Sequence, residues 1–187
     1  MRSSPTRKFL ALCVGTLLTG GVSQTHAARP TFTQEFNVES APCEGLALDG
    51  VGYSFSVGDV PDLGCTVGQA GPTTDNVQPP LIQFGRGGVL RLRFAVPTTT
   101  FGFGIAQLAD RPELDSVIVD LFSPGVGVLR ERLTLDNDVD PDFIGGRFEY
   151  EGPAVRTATI RIAGQADGRP VALDNVTYAR PGGRSRR

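Results

Sequence analysis

Several residue types that commonly carry catalysis are almost missing from this chain of 187 residues. Tryptophan is absent, and the single histidine, lysine and methionine are His26, Lys8 and Met1, all within the first 27 residues. If those residues are removed, no histidine is left for a serine or cysteine triad or for a zinc site. No lysine is left for Schiff-base or phosphate-loop chemistry. GxSxG and the aspartic protease motifs are also absent, so only carboxylate chemistry remains.

The first 27 residues have the pattern of a secretory signal peptide. Arg2, Arg7 and Lys8 precede an apolar run over residues 9–22, which is shorter than the roughly 20 residues of a membrane-spanning helix. Small side chains stand at the −3 and −1 positions of a cut after Ala27. The sequence predicts a secreted or periplasmic protein without a membrane span. The alternative is an amphipathic start of the folded domain.

Removal of that leader makes the chain more acidic. The complete chain has a net charge of −2; without its leader, 15 arginines face 20 acidic residues, a net charge of −5. Four of those arginines lie in the last eight residues, so the body carries 11 arginines against 20 acids, or −9. An acidic body predicts no nucleic-acid partner. Residues 181–187 (PGGRSRR) are expected to be a basic, disordered tail rather than a recognition arm.

Cys43 and Cys65 are the two cysteines that remain after the leader. In an oxidising compartment an isolated pair is usually a disulfide, and the spacing is not the CxxC of redox enzymes. Such a bond would close a loop of about 22 residues and stabilise the fold by around 3 kcal/mol. It would staple a segment dense in glycine, proline and polar residues.

Period-two alternation dominates the rest of the chain. In residues 89–96 (VLRLRFAV) the apolar side chains face one way, and Arg91 and Arg93 face the other. Arginines alternate with apolar residues in the same way at 126–135 and 154–163. The predicted strands are 32–38, 51–57, 80–85, 89–96, 99–106, 116–122, 126–135, 143–150, 154–163 and 171–178. A helix is plausible only around 107–113. The pattern predicts an all-β protein, a single antiparallel β-sandwich of jelly-roll type over residues 28–180.

Two groups of carboxylates are candidate sites. Glu149 and Glu151 share one strand face, roughly 6–7 Å apart, near the spacing that glycosidases use; the alternative is a solvated face. Oxygen ligands at alternate positions suit Ca²⁺, and the acidic segment supplies Asp136, Asp138, Asp140 and Asp142. It is not an EF-hand, because Pro141 and Arg147 stand at the glycine and glutamate positions. An acidic hairpin loop is the alternative.

The closing segment VALDNVTY, residues 171–178, resembles the last strand of secreted bacterial jelly-roll domains. These include carbohydrate-binding modules and the sandwich domains of PEP-CTERM-type exported proteins. The opening TFTQEF and the early GVGYSF also fit that resemblance. It implies that Asp174, with Glu35 as a partner, ligates a structural calcium ion; alternatively, Asp174 or Asn175 forms a bulge and bonds nearby backbone. The sorting tail of those proteins is absent, so attachment by that route is not expected.

Three function classes follow. The leading one is a secreted, non-catalytic binding module that recognises a glycan or another cell-surface component, a role that rests on export, the sandwich and the resemblance. The second is a structural or matrix-interaction protein with no small ligand. A distant third is a carboxylate-based glycoside hydrolase using Glu149 and Glu151. No cofactor is expected to be required, although structural calcium is compatible with the pattern.

Overall fold

The computed structural model describes residues 31–33, 41–61, 64–85, 87–109, 113–137, 143–163 and 169–179. Within these ranges every regular element is a β-strand. The strands are β1 (Thr31–Thr33), β2 (Ala41–Pro42), β3 (Ala47–Leu48), β4 (Val51–Val57), β5 (Val60–Pro61), β6 (Cys65–Gly68), β7 (Leu81–Gly85), β8 (Val89–Leu108), β9 (Glu113–Ser123), β10 (Gly127–Asn137), β11 (Phe143–Ile162) and β12 (Pro170–Ala179).

The strands pair antiparallel in two packed layers, which confirms the predicted β-sandwich of jelly-roll type. The first layer has the order β4, first half of β8, second half of β11, β9 and β10. The second layer has the order first half of β11, second half of β8, β12, β7, β6 and β2. β1 pairs with the end of β12, while β3 and β5 are short partners of β4.

β8 and β11 are each 20 residues long and belong to both layers. The sequence predicted two strands in each case, 89–96 with 99–106 and 143–150 with 154–163, and that separation was wrong. Pro97 and Pro153 mark the corners where the strands cross between layers, and the β11–β8 register shifts on either side of Val155. Proline removes a ladder donor and bulges bend a strand, so these signals turn the strand without ending it.

Aromatic side chains fill the space between the layers. Phe55 of the first layer and Phe84 of the second have ring centroids 5.9 Å apart. Phe103 and Phe148 stack at 5.1 Å within the second layer, and Phe103 is fully buried. Burial of such rings contributes most of the favourable free energy of a sandwich core.

The disulfide between Cys43 and Cys65 is confirmed, with both residues buried. The helix predicted around 107–113 was wrong where the structure describes it, because Gln107 and Leu108 end β8 and Glu113 begins β9. The predicted leader over 1–27 and the tail over 181–187 lie outside the described residues. The described part of the chain contains no helix long and apolar enough to cross a membrane.

Candidate functional site

A cleft of about 380 Å³ opens on the outer face of the second layer, where β11, β8 and β12 run side by side. It is lined by Thr100, Phe101, Gly102, Arg147, Glu149, Tyr150, Glu151, Thr177 and Tyr178. The polar side chains come from three strands that are far apart in sequence but adjacent in the sheet. We call this surface the cleft.

Sheet register explains why these residues meet. Glu149 lies opposite Gly102 on β8, and Gly102 lies opposite Thr177 on β12. Glu151 lies opposite Thr100. Directly opposed residues share a face of the sheet, so the alternation predicted for Glu149 and Glu151 places both carboxylates on one wall of the cleft. Their partners Thr100, Gly102 and Thr177 were not predicted as site residues, because register between distant strands is not encoded in a short segment.

The charged groups of the cleft are partly paired. Nε of Arg147 donates to Oε1 of Glu149 at 2.8 Å, and the two side chains are 43% and 73% exposed. Glu151 is exposed as well. One guanidinium and two carboxylates therefore give the cleft a net charge of −1 and a mixture of hydrogen-bond donors and acceptors.

Gly102 forms the floor of the cleft. A Cβ atom added there would lie 2.9 Å from both the Oγ1 of Thr177 and the carbonyl oxygen of Phe148. Any larger residue would therefore displace β12 or β11. Gly102 is itself buried, so its lack of a side chain allows Thr177 and β11 to pack closely over β8.

The two tyrosines of the lining present no aromatic platform. Tyr150 is 9% exposed and its hydroxyl donates to the carbonyl oxygen of Pro153 at 2.7 Å. Burial raises the pKa of Tyr150, and Glu131 raises it further. Tyr178 is 3% exposed and donates its hydroxyl hydrogen bond to the carbonyl oxygen of Asp49. Both phenols serve packing and backbone contacts, so recognition in the cleft must rest on carboxylate, guanidinium and hydroxyl groups.

Beside the cleft, the loop over residues 71–80 covers a further part of the outer face of the second layer, over β8, β12 and β7. Val77 of this loop packs with Leu81, Ala106 and Ala172 in a small apolar cluster. The fit over β8 requires glycine, because a Cβ on Gly104 would lie 1.8 Å from the carbonyl oxygen of Asn76.

Asp174 holds this loop to β12. Its Oδ2 accepts from the backbone N–H of Gln78 at 3.1 Å, and the side-chain amide of Asn175 donates to the carbonyl oxygen of Asn76 at 3.2 Å. The register shifts just after Asp174, and Asn175 has a φ of 52°. Burial raises the pKa of Asp174, while the N–H groups of Asn175 and Gln78 lower it in part. These contacts match the alternative in which Asp174 or Asn175 forms a bulge and bonds nearby backbone.

The calcium hypotheses stay predictions. Glu35, Asp138, Asp140 and Asp142 lie outside the described residues, and Asp136, the residue before the end of β10, lies opposite Gly145. Among the residues that the structure does describe, no three carboxylate, cysteine or histidine side chains come together as a metal-binding group.

A second cleft of about 380 Å³ lies at the opposite layer. Its lining includes Glu44, Ser54, Asp59 and Arg91, near the hairpin that joins β4 and β5. It also combines two carboxylates, one guanidinium and serine hydroxyls, but its carboxylates come from separate segments and do not share one strand as Glu149 and Glu151 do.

The chain matches no protein-family model and no curated protein by sequence. Its fold is similar to a cleaved adhesin domain of Lys-gingipain, with a TM-score of 0.51 and 16% identity over 81% of this chain and 98% of that chain. Another cleaved adhesin domain of Lys-gingipain, from Porphyromonas gingivalis, gives 0.48 and 15% over 82% and 99%. A family 29 carbohydrate-binding module gives 0.44 and 9% over 81% and 92%. At such identities the first of these likenesses shows a shared sandwich fold.

Proposed function

We propose that this chain is an exported, non-catalytic binding module whose ligand site is the cleft, and that the ligand is a glycan. The observation that carries the proposal is the convergence of Arg147, Glu149, Glu151 and Thr177 around Gly102. Carboxylates accept hydrogen bonds, a guanidinium donates them and a threonine hydroxyl does both. A ligand with many closely spaced hydroxyl groups satisfies this mixture best.

The size of the cleft and its rigid backbone are suited to ligand binding. About 380 Å³ falls within the usual range for small-ligand sites. The β8 and β12 parts of the cleft are paired on both sides, and the β11 wall pairs with β8 along residues 147–151, so the backbone of the cleft is held in place before a ligand arrives. Preorganised groups reduce the entropy lost on binding.

The same geometry disfavours the hydrolase hypothesis. Glycosidases place two carboxyl groups on either side of the scissile bond, whereas Glu149 and Glu151 project from one strand onto one wall. A general acid is usually kept protonated by apolar surroundings. Glu149 is instead 73% exposed and ion-paired with Arg147.

The proposal of export is supported by the buried Cys43–Cys65 disulfide, because such bonds persist mainly in oxidising compartments. The similar Lys-gingipain domain is named an adhesin domain. Fold analogy of this kind is compatible with a binding role without assigning a ligand.

The test is a binding measurement on the full chain, produced with its own leader and recovered with the disulfide formed. A panel of soluble polysaccharides would be titrated with calcium and again with chelator. For a polymer that binds saturably, Glu151→Gln and Thr177→Val should each weaken binding by about tenfold, as expected for loss of a hydrogen bond to a charged or buried group.

Glu44→Gln at the second cleft is the matched control, and it should leave the affinity unchanged. The assignment of the cleft would be overturned if Glu44→Gln and Glu151→Gln reduced the affinity equally. It would also be overturned if neither Glu151→Gln nor Thr177→Val reduced it. No binding across the panel, with capture of a matrix protein instead, would favour the structural alternative. Loss of binding in chelator that Asp174→Asn reproduces would support the calcium hypothesis for that residue.

A further inference from the structure

The outer face of the first layer concentrates positive charge. Sheet register places its outward-facing residues in three neighbouring rows across the strands. The first row is Ser54, Arg91, Thr159, Asp120 and Arg130. The second is Gly52, Arg93, Thr157, Phe122 and Val128. The third contains Arg161, Ile118 and Arg132. We call these three rows the basic face.

Five arginines and one aspartate give the basic face a net charge of +4. Glu44 and Asp59 line the second cleft with Ser54 and Arg91 at the β4 end of the first row, and counting them leaves a charge of +2, against −2 for the complete chain. Arg91, Arg93, Arg130 and Arg132 are exposed. The clustering follows from the fold alone, because these residues come from β8, β10 and β11.

Apolar packing and one ion pair hold the side chains of this surface in place. Ile118 is only 4% exposed although it faces outward, between Arg161 and Arg132. Long arginine stems cover apolar surface in this way while their charged ends stay in water. Asp120 binds Arg130 through two hydrogen bonds of 2.5 and 2.9 Å. The Arg130 contact, with further help from Arg161 and Arg132, lowers the pKa of Asp120.

Asp120 forms an ion pair with only one of the five arginines, Arg130. Within the described part of the chain, Arg91 and Arg93 have no acidic side chain at ion-pair distance. Guanidinium groups bind carboxylate, sulfate and phosphate oxygens in pairs, with better geometry than lysine offers. Arg91 and Arg130 are separated by three strand spacings, about 14 Å, so the charges suit an extended ligand with repeated anionic groups.

We propose that the basic face binds an acidic polysaccharide, carrying sulfate or carboxylate groups, at a site separate from the cleft. Ser54, next to Arg91 at the β4 end of the first row, and Thr157, next to Arg93 in the second, carry hydroxyl groups and are partly exposed. They provide hydrogen bonds to sugar hydroxyls, and the arginines bind the anionic substituents. This inference does not depend on the proposed function of the cleft.

Two other polyanions fit the face less well. A pleated surface of five strands, roughly 19 Å across, is too broad for a DNA major groove of about 12 Å. Phe122 is the one aromatic side chain in the three rows for stacking on bases. A membrane surface would favour apolar side chains among the arginines. Phe122 and Val128 instead lie at one end, in the row that also contains Arg93.

The experiment compares dextran sulfate with neutral dextran as ligands of the full chain, by titration at low and moderate salt. We expect saturable binding to dextran sulfate that weakens as salt is added, and none to neutral dextran. Arg91→Gln combined with Arg93→Gln should weaken binding by about tenfold, the range for losing charge-assisted hydrogen bonds. Arg169→Gln changes an exposed arginine just before β12, outside the basic face, and is the matched control that should have no effect.

Asp120→Asn supplies a variant whose effect cannot come from misfolding. It removes the negative charge within the three rows and releases Arg130, so affinity for dextran sulfate should rise by roughly two- to fivefold. A cleft variant, Glu151→Gln, should not weaken the affinity for dextran sulfate. This arm separates failure of the basic-face proposal from failure of the proposed function.

Three outcomes would overturn the proposal. In the first, replacing Arg184, Arg186 and Arg187 by glutamine abolishes binding, while the Arg91→Gln/Arg93→Gln variant still binds. The polyanion would then bind to the C-terminal residues and not to the basic face. Another is an unchanged or lower affinity of the Asp120→Asn protein. The third is binding to duplex DNA or to vesicles containing phosphatidylglycerol without binding to dextran sulfate.

Discussion

Reduction of the Cys43–Cys65 disulfide should destabilise the domain by about 3 kcal/mol. The bond joins residues 22 apart, and the chain-entropy relation gives about 11 cal/mol/K for a loop of that length, or about 3 kcal/mol at 25 °C. The two residues are also linked by a backbone hydrogen bond of 3.0 Å from Cys43 to Cys65. The bond thus fixes the segment before β3 to β6, whose other neighbours are β7 and the two-residue β2.

The assays are urea unfolding and thermal unfolding, both followed by circular dichroism, since the chain has no tryptophan to report by fluorescence. Oxidised protein, reduced protein and a Cys43→Ala/Cys65→Ala variant would be compared, with the variant also measured in reductant as a control. Reduction should lower the melting temperature by about 6–12 °C in a domain of this size. The variant should lose more, because it also removes two buried sulfur atoms. A loss below about 1 kcal/mol on reduction would refute the loop-entropy reasoning.

Two further perturbations concern the loop over residues 71–80. Asp174→Asn should stabilise the protein at neutral pH relative to low pH. Burial raises the pKa of Asp174 in the folded state, so its contribution to stability is greatest below the unfolded pKa and declines as pH rises through the folded pKa. Melting curves across pH should therefore show the melting temperature of Asp174→Asn rising relative to that of the parent as pH increases. A difference that stays constant with pH would contradict this. Gly104→Ala should destabilise by about 1–3 kcal/mol, the usual range for overpacking, because its Cβ would meet the carbonyl oxygen of Asn76 at 1.8 Å. Amide hydrogen exchange should show faster exchange at Val77, whose N–H bonds Thr74, and unchanged protection there would argue against the close fit.

Local patterns were sufficient for the fold class and for most strands. β4 has the predicted bounds, 51–57, because its alternation is complete between turn residues. The outward orientation of Arg91 and Arg93 also followed from alternation alone. The corners of β8 and β11 did not follow, since Pro97 and Pro153 give the same local signal at a bend as at a strand end.

The candidate site was only half predictable. Glu149 and Glu151 were identifiable as a pair on one face, but Gly102 and Thr177 became their neighbours through pairings between distant strands. Register between such strands depends on the whole core and is not written in any short segment. One signal was present: in FGFG, residues 101–104, phenylalanines alternate with glycines, which indicates a strand whose outer face must stay empty. The same limitation applies to the basic face, whose arginines are recognisable singly and clustered only by strand order.

The passage of β8 and β11 through both layers has a thermodynamic consequence. Neither layer can lose these strands without breaking the other, so the domain should melt in one cooperative transition instead of layer by layer. Ligands on the two opposite surfaces would then act on the same unfolding equilibrium. Each would raise its midpoint by mass action, and together they would add in free energy even if neither changed the affinity of the other.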